Sequence, residues 1–259
     1  AWLLRDTVNT LVAPGLEELL KAMAIAAIFL LARQEFDGVL DGMVYGAMVG
    51  LGFATAENYI YYIDALQNRG WYALLELFVL RGMLFGLSHA MYSGIVGAAF
   101  GLARHAIGVW KDTGYIAGGM LVAYVLHSLH NFGARSPGVG ATISILIAVL
   151  GLLAWYLGFQ LAYRQEQSIL LRELRDEIGD TLSEAEYVHM TTSPGRPTML
   201  DDRQQPERAI RLRLTIEIAN RKHRARTIGV ELEPELATEI IKLRSQISAL
   251  KAVVPEGNA

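Results

Sequence analysis

The stretch SPGVGATISILIAVLGLLAWYLGFQLAY, residues 136–163, contains no charged side chain. A helix needs about 20 consecutive apolar residues to cross the hydrocarbon core of a bilayer, so this stretch is long enough to form a membrane span. Uncharged runs also cover residues 82–103 and 113–134. These runs predict an all-α fold, namely a polytopic helical protein embedded in the lipid bilayer of the cell membrane.

The charged residues fall mainly in the C-terminal part of the chain. Residues 1–163 carry 18 of the 49 Asp, Glu, Lys and Arg side chains, and residues 164–259 carry the remaining 31. We therefore expect a transmembrane core over residues 1–163 and a charged, soluble tail over residues 164–259. The chain starts at an alanine without a recognisable signal peptide, and we expect its N-terminus to be truncated, so that the number of spans counted below is a lower bound.

Composition excludes two broad classes of protein. With no cysteine among its 259 residues, the chain cannot be a disulfide-stabilised secreted module. Its net charge is only −3, and the basic residues of the tail are interspersed with nearly equal numbers of acids. A nucleic-acid-binding protein would need a basic patch, so nucleic acid is not an expected partner.

Five membrane spans can be placed on the sequence. The Lys and Arg residues near the span ends are more numerous on the side shared with the tail, which favours a cytosolic tail. The apolar stretch 71–85 contains Glu76 and Arg81 and fits either an interfacial or re-entrant helix or a span. The five predicted spans cover about residues 11–33, 38–64, 84–104, 114–133 and 138–163.

Glycines recur every four residues in two of these spans, at Gly42, Gly46 and Gly50 and at Gly97 and Gly101. This spacing places small residues on one helix face, where two helix backbones can approach closely. We expect these faces to be helix–helix contacts.

The tail is expected to contain helices and one flexible linker. Residues 165–178 extend the last span as a helix, and residues 191–206 are rich in Pro, Gly, Asp and Arg and predict a linker. Apolar residues between 236 and 250 follow helical spacing, whereas residues 210–218 fit a strand or a helix. We expect such a tail to dock partners in a membrane complex or to regulate the core.

Several ionisable or amide side chains lie inside the predicted spans. An ionisable group in a hydrocarbon core costs at least roughly 2.5 kcal/mol on insertion scales, so each one requires a partner or a function. If the spans alternate in direction, these groups all lie at the same membrane side, and we expect most of them to form one site. Only His130 is expected to point away from His127. The residues are Glu17, Glu18, Lys21, Glu57, Asn58, His89, His127, His130 and Asn131.

This combination of residues can hydrolyse an amide bond. Either Glu17 or Glu18 would take a proton from the attacking water, with Lys21 free to hold the other carboxylate as an ion pair. His127, His89 and the neutral amide of Asn131 would stabilise the developing oxyanion. Alternatively, Glu57, His89 and His127 could hold zinc, although no H-E-x-x-H pattern occurs. We favour water activated by glutamate over the zinc alternative.

Four short motifs carry a resemblance to a known family: EELLK at residues 17–21, FATAEN at 53–58, SHAMYSG at 88–94 and HSLHNF at 127–132. Their order and spacing resemble those of the PrsW intramembrane proteases, which are related to the CAAX prenyl endopeptidases and to bacterial immunity-type membrane proteases. The resemblance covers roughly residues 11–163. One departure is that the family usually begins with additional spans.

The resemblance implies a helical membrane core that cleaves a membrane-anchored anti-sigma factor on its extracytoplasmic side. It assigns Lys21 as a partner within the first motif. It leaves open whether the reaction uses a metal or water activated by a glutamate. The family's catalytic roles pass to Glu17, Glu18, Glu57, His89, His127 and Asn131.

Two non-protease functions remain as alternatives. The chain could be a non-catalytic membrane subunit that scaffolds a larger complex through its tail. A proton-coupled transporter also places Glu and His in its spans, but it usually shows an internal repeat, and the sequence has none that we can detect.

Overall fold

The computed structural model describes residues 6–32, 36–104, 106, 109–136, 138–192, 206–228 and 234–253. Within these ranges every regular element is a helix, apart from one isolated bridge between Ile178 and Leu182. The predicted all-α class is therefore confirmed. The helices are α1 (Ala13–Leu31), α2 (Val39–Arg69), α3 (Trp71–Arg104), α4 (Val109–Arg135), α5 (Val139–Arg175), α6 (Glu184–Thr192), α7 (Pro206–Ile228) and α8 (Glu235–Val253).

Two of these helices contain or follow π-helical turns. A π-helical turn at Val8–Val12 leads directly into α1. Helix α3 has α-helical ends, Trp71–Leu77 and Gly86–Arg104, and a π-helical segment, Phe78–Phe85, between them. Residues 71–85 thus continue the third predicted span into one longer helix.

Three helices among the described residues, α2, α3 and α5, are long and apolar enough to cross a membrane. They correspond to the second, third and fifth predicted spans. The first and fourth predicted spans also form helices, α1 with 19 residues and α4 with 27, which are long enough but too rich in charged or polar side chains to meet the same standard. Helix α1 carries Glu17, Glu18 and Lys21, which lower its hydropathy.

By its contacts the chain divides into two compact units, residues 1–162 and residues 163–259. The core of the first unit contains Ile25, Phe36, Tyr92 and Val96, each fully buried. Many large apolar side chains of this unit remain exposed, Leu31 and Trp110 among them. Such exposure is what helices that contact lipid require.

The predicted glycine contacts are confirmed between α2 and α3. A methyl group added to Gly42 or Gly46 would overlap the backbone carbonyl of Gly97 or Ser93 across the interface. One at Gly50 would overlap the carbonyl of His89. Because these two helices touch backbone to backbone, the side chains that flank the glycines are held close to one another.

The second unit is built from the end of α5 and from α6, α7 and α8. Leu174, Leu182 and Leu212 form one buried apolar cluster, and Ile218 packs with Ile247 in another. Residues 210–218 belong to α7, which settles the open choice in favour of helix, and the predicted helix around residues 236–250 is α8. Of the predicted linker, Thr191 and Thr192 belong to α6 and Pro206 begins α7, while residues 193–205 lie outside the described ranges.

Buried ion pairs reinforce this second unit. Glu177 accepts hydrogen bonds from Lys222 (2.8 Å) and Arg244 (2.9 Å). Glu186 pairs with Arg211 and also accepts from the backbone N–H of Ser183 at 2.9 Å. Although burial raises the pKa of Glu186, the hydrogen bonds from Arg211 and Ser183 lower that pKa to about 2.

The glycine contacts predict a difference between two alanine substitutions in α2. Gly46→Ala should destabilise the protein by roughly 1–3 kcal/mol, because the added methyl group meets a backbone atom that cannot move aside. The matched control is Gly52→Ala, where the added methyl has nothing within 4 Å. Thermal unfolding in detergent should show a lower midpoint for Gly46→Ala alone. Equal midpoints for both variants would contradict the close approach.

The low pKa of Glu186 predicts that acid loosens the second unit. Because the folded-state pKa lies below the unfolded value of about 4.3, the ion pair stabilises the unit above that pH and is lost as the pH falls towards 2. Hydrogen exchange of residues 206–228, corrected for the intrinsic rate, should increase over this range. Glu186→Gln should flatten the dependence and Glu184→Gln, at an exposed position of the same helix, should not.

Candidate active site

Helix α1 places two carboxylates and a lysine at the centre of the membrane unit. Glu18 and Lys21 are both buried, and Lys21 Nζ lies 2.7 Å from Glu18 Oε1. Residues three apart lie on the same helix face, which allows this ion pair. The sequence left open which glutamate Lys21 holds, and the structure pairs it with Glu18. Glu17 is only partly buried, with 22% of its side chain exposed.

His127 on α4 is held by Glu18 and by an aromatic ring. Its Nδ1 lies 2.9 Å from Glu18 Oε1, and its ring stacks on Tyr92 with centroids 5.1 Å apart. Since a glutamate paired with lysine is an acceptor, Nδ1 of His127 carries the proton and donates. In the neutral imidazole Nε2 therefore keeps a free lone pair, and it faces Glu17 Oε2 at 3.7 Å.

His89 on α3 has the opposite arrangement of protons. Lys21 Nζ lies 3.1 Å from His89 Nδ1. A lysine ammonium has donors and no acceptor, so Nδ1 of His89 accepts and the proton of the neutral ring is on Nε2. That nitrogen lies 3.3 Å from Glu57 Oε2. Nε2 of His89 thus presents an N–H group, whereas Nε2 of His127 presents a lone pair. The two rings pack edge to face, with their centroids 5.1 Å apart.

Glu57 on α2 is fixed from one side by Arg81 of α3. Arg81 Nη2 donates to Glu57 Oε1 at 2.7 Å, and Arg81 Nε donates to Asn58 Oδ1 at 3.1 Å. The guanidinium carbon also lies 3.8 Å from the centroid of the Tyr61 ring. This network leaves Glu57 Oε2 directed towards His89.

Three buried carboxylate oxygens of the cluster have no hydrogen-bond donor among the described residues: Oε2 of Glu17, of Glu18 and of Glu57. A buried acceptor without a donor costs about 1–3 kcal/mol. Such atoms are retained where water, a cation or a substrate N–H group supplies the missing interaction. The cluster therefore offers three acceptor oxygens to a water molecule, a cation or a substrate N–H group.

Of the eight residues expected to share one site, the structure brings together six, and Asn58 contacts their neighbour Arg81. The six are Glu17, Glu18, Lys21, Glu57, His89 and His127. Asn131 has a different contact, since its Nδ2 donates to the backbone oxygen of Asn9 at 3.1 Å. It anchors the π-helical turn ahead of α1, and no described contact joins it to the cluster. His130 pairs with Ser144 Oγ at 2.9 Å, which agrees with its expected orientation away from His127.

Two residues that contact the cluster, Arg81 and Tyr92, were not predicted as site residues from the sequence. Arg81 is a lone cation in an apolar stretch, and that feature alone marks it as a functional candidate. Tyr92 lies inside the SHAMYSG motif, but its spacing from His127 gives no sign that the two rings stack.

Among the described residues one group has donor atoms placed to hold a metal ion, namely Glu17, His89 and His127, whose atoms lie within 4.8 Å of one another. The set expected from the sequence contained Glu57 in place of Glu17. Glu17 Oε2 and the free Nε2 of His127 fit a divalent cation directly. His89 can join them only after its bond to Lys21 breaks, because a metal ligand needs a lone pair where Nε2 now carries the proton.

Comparisons with known proteins identify the family of the chain. A family model described as PrsW family intramembrane metalloprotease matches residues 3–157. The chain is 37% identical over 117 residues to Protease PrsW of Geobacillus kaustophilus, covering 45% of this chain and 47% of that protein. It is 34% identical over 117 residues to Protease PrsW of Bacillus subtilis, covering 45% and 49%.

A third relative, Protease PrsW of Clostridioides difficile, is 26% identical over 143 residues, or 55% of this chain and 58% of that protein. The chain thus spans about half the length of the curated relatives it matches. No solved structure matches it. Because the family model covers more than half of the chain, including every residue of the cluster, the chain belongs to the PrsW family of intramembrane metalloproteases.

Proposed function

We propose that this chain is the core of an intramembrane endopeptidase that hydrolyses a peptide bond of a membrane-anchored protein. One observation carries the proposal: Glu17 Oε2 and His127 Nε2 are two acceptors that face each other at 3.7 Å. Two acceptors cannot bond to each other. A water molecule that donates to both would be oriented and ready to lose a proton, which is the first requirement of hydrolysis.

Glu17 is the proposed general base. Its Oε2 has no donor from the described residues, so it is available to take the proton of an attacking water. Oε2 of Glu18 also lacks a donor, but the ion pair with Lys21 and the hydrogen bond from His127 make this carboxylate a weaker base than Glu17. We assign Glu18 the role of positioning His127, as the third member of a catalytic triad positions its histidine.

His89 is the proposed donor to the oxygen of the scissile carbonyl. Lys21 fixes the proton on Nε2, and this N–H group lies near Glu57 without the alignment of a hydrogen bond, since Oε2 of Glu57 lacks a donor. A fixed N–H group aimed at a developing oxyanion stabilises the transition state. Asn131, expected to share this role, is instead assigned to anchoring the N-terminal turn.

A divalent cation, with zinc as the leading candidate, would be held by Glu17 and His127, with His89 or Glu57 as the third ligand. It would supply a Lewis acid. The name of the family supports this alternative over the glutamate-only reaction that the sequence favoured. Chelation followed by zinc addition separates the two: activity that is lost and then restored indicates a metal, and unchanged activity indicates glutamate alone.

We further propose an anti-sigma-factor-like substrate, cleaved near the extracytoplasmic membrane face, and a cytosolic second unit. The substrate and face rest on the family resemblance, and the tail location rests on the distribution of Lys and Arg. The alternative function, a scaffold in a membrane complex, would retain the same fold. Recovery with a fixed set of partners and no turnover of any membrane substrate would favour that alternative.

The proposed roles predict the effects of two substitutions. Glu17→Gln and His127→Ala should each lower the cleavage rate of a co-reconstituted single-span anti-sigma-type protein by roughly 10²–10⁴-fold. Gel analysis of the cleaved fragment measures the rate. Glu76→Gln, an exposed acid in α3, is the control and should cleave normally. Wild-type cleavage rates in both Glu17→Gln and His127→Ala would contradict the proposed mechanism.

The hydrogen bond between Lys21 and His89 predicts tighter zinc binding when the lysine is lost. Lys21→Gln removes a positive charge from the cluster and frees His89 to carry its proton on Nδ1, so the zinc affinity should rise at least about tenfold. Calorimetric titration of detergent-solubilised protein measures this without reference to activity. Arg69→Gln, at an exposed arginine of α2, should leave the affinity unchanged. Weaker binding by Lys21→Gln would contradict the proton assignment at His89.

A further inference from the structure

The π-helical segment of α3 changes which residues share a helix face. On a regular α-helix, Arg81 and His89 are eight residues apart and would point in directions that differ by about 80°. Both nevertheless reach the same carboxylate: Arg81 Nη2 lies 2.7 Å from Glu57 Oε1, and His89 Nε2 lies 3.3 Å from Glu57 Oε2. The wider turns of the segment Phe78–Phe85 take up that angle, and π-turns of this kind are frequent at functional sites.

Arg81 itself is held from several directions. Its Nε donates to Asn58 Oδ1 at 3.1 Å, and its guanidinium lies over the ring of Tyr61. Its backbone oxygen accepts from the N–H of Gly86, five residues on, and from Asn58 Nδ2 at 3.4 Å. The contacts tie the π-helical segment to α2 immediately beside Glu57, so the guanidinium has little freedom to move.

We infer that Arg81 is a positioning residue of the active site, which clamps Oε1 of Glu57 so that Oε2 faces His89. The inference rests on the proposed function for its catalytic part. The planar guanidinium engages Glu57 and Asn58 at the same time with two different nitrogens. A lysine ammonium, as a point charge on a flexible chain, would not reproduce this arrangement in full.

A purely structural role would look different. If Arg81 only neutralised a half-buried carboxylate, its loss would lower stability and the amount of folded protein, while the folded fraction would keep its turnover number. If Arg81 aims Glu57, its loss lowers kcat of the folded protein and leaves KM nearly unchanged, because the displaced carboxylate faces His89, the proposed donor to the developing oxyanion, and so affects the transition state more than substrate binding.

The test is a double-substitution cycle with Arg81→Gln and Glu57→Gln, read out as kcat and KM per folded protein on the same membrane-anchored substrate. Arg81→Gln should lower kcat by at least about tenfold and leave KM within about twofold. In the Glu57→Gln background the same substitution should have less than about a twofold further effect. Arg81→Lys should retain a part of the activity, and Arg69→Gln on α2 is the matched control.

Chemical rescue separates positioning from folding. The side chain of Arg81 is 24% exposed in the structure without lipid, so in detergent-solubilised protein the space left by Arg81→Ala opens at the surface of the unit, where a small guanidinium ion can enter. Millimolar guanidinium should raise the activity of that variant several-fold and leave Glu57→Gln unchanged. Multiplying effects in the cycle, or no rescue together with a normal turnover number of the folded fraction, would overturn the inference.

The thermal unfolding midpoints of the same four proteins test the clamp without activity. Non-additive midpoints show that Arg81 and Glu57 act as a unit, and additive midpoints overturn the clamp. If the wild-type protein cleaves nothing while the midpoints are non-additive, the proposed function fails and the contact between Arg81 and Glu57 stands.

Discussion

The cluster depends on one buried ion pair, Glu18 with Lys21. Each partner serves a second group: Glu18 Oε1 also accepts from His127, and Lys21 also donates to His89. Three helices are thereby joined through two side chains of α1. Isolated charges at this depth would cost several kcal/mol each, and removal of one partner would leave the other uncompensated. The pair therefore fixes both the packing of the helices and the proton positions on the two histidines.

The glycine face of α2 makes the remaining half of the cluster feasible. Glu57 lies on the same helix as Gly50, where an added Cβ would overlap the backbone oxygen of His89. Because the helices touch there, the carboxylate of Glu57 can reach the ring of His89 with a side chain of ordinary length. A larger residue at Gly50 would push α2 and α3 apart. Glu57 would then lie farther from His89, although neither side chain had been changed.

Much of this organisation follows from the sequence. Uncharged runs predicted the helices, and the cost of burying ionisable groups predicted that Glu17, Glu18, Glu57, His89 and His127 would meet. Sequence spacing could not decide between Glu17 and Glu18, because that choice depends on the rotation of α1, which is set by packing. The hydrogen bonds from Lys21 and His127 to Oε1 make Glu18 a structural acceptor, whereas Glu17 faces the unprotonated Nε2 of His127.

The contacts of two other residues, Arg81 and Asn131, were not predicted from the sequence. Arg81 meets Glu57 from within a π-helical segment, which interrupts the 3.6-residue period from which helix faces are predicted. The expected role of Asn131 rested on its neutral amide, but that amide donates instead to the backbone oxygen of Asn9. In the first case a local change in helix period, and in the second a contact between residues 122 positions apart in the sequence, outweighs the periodicity of the span.

The charges of the cluster explain why it suits a base. Three carboxylates and two cations leave one net negative charge when both histidines are neutral. In a low-dielectric site, uptake of one proton by Glu17 brings the group to neutrality, so the electrostatic environment favours removal of a proton from water. A divalent cation would instead make the cluster positive, which favours an anion. The same five charges thus support hydrolysis either by glutamate-activated water or with a bound metal ion. Lys21 holds the proton of His89 on Nε2, and this proton must move before His89 can bind a metal.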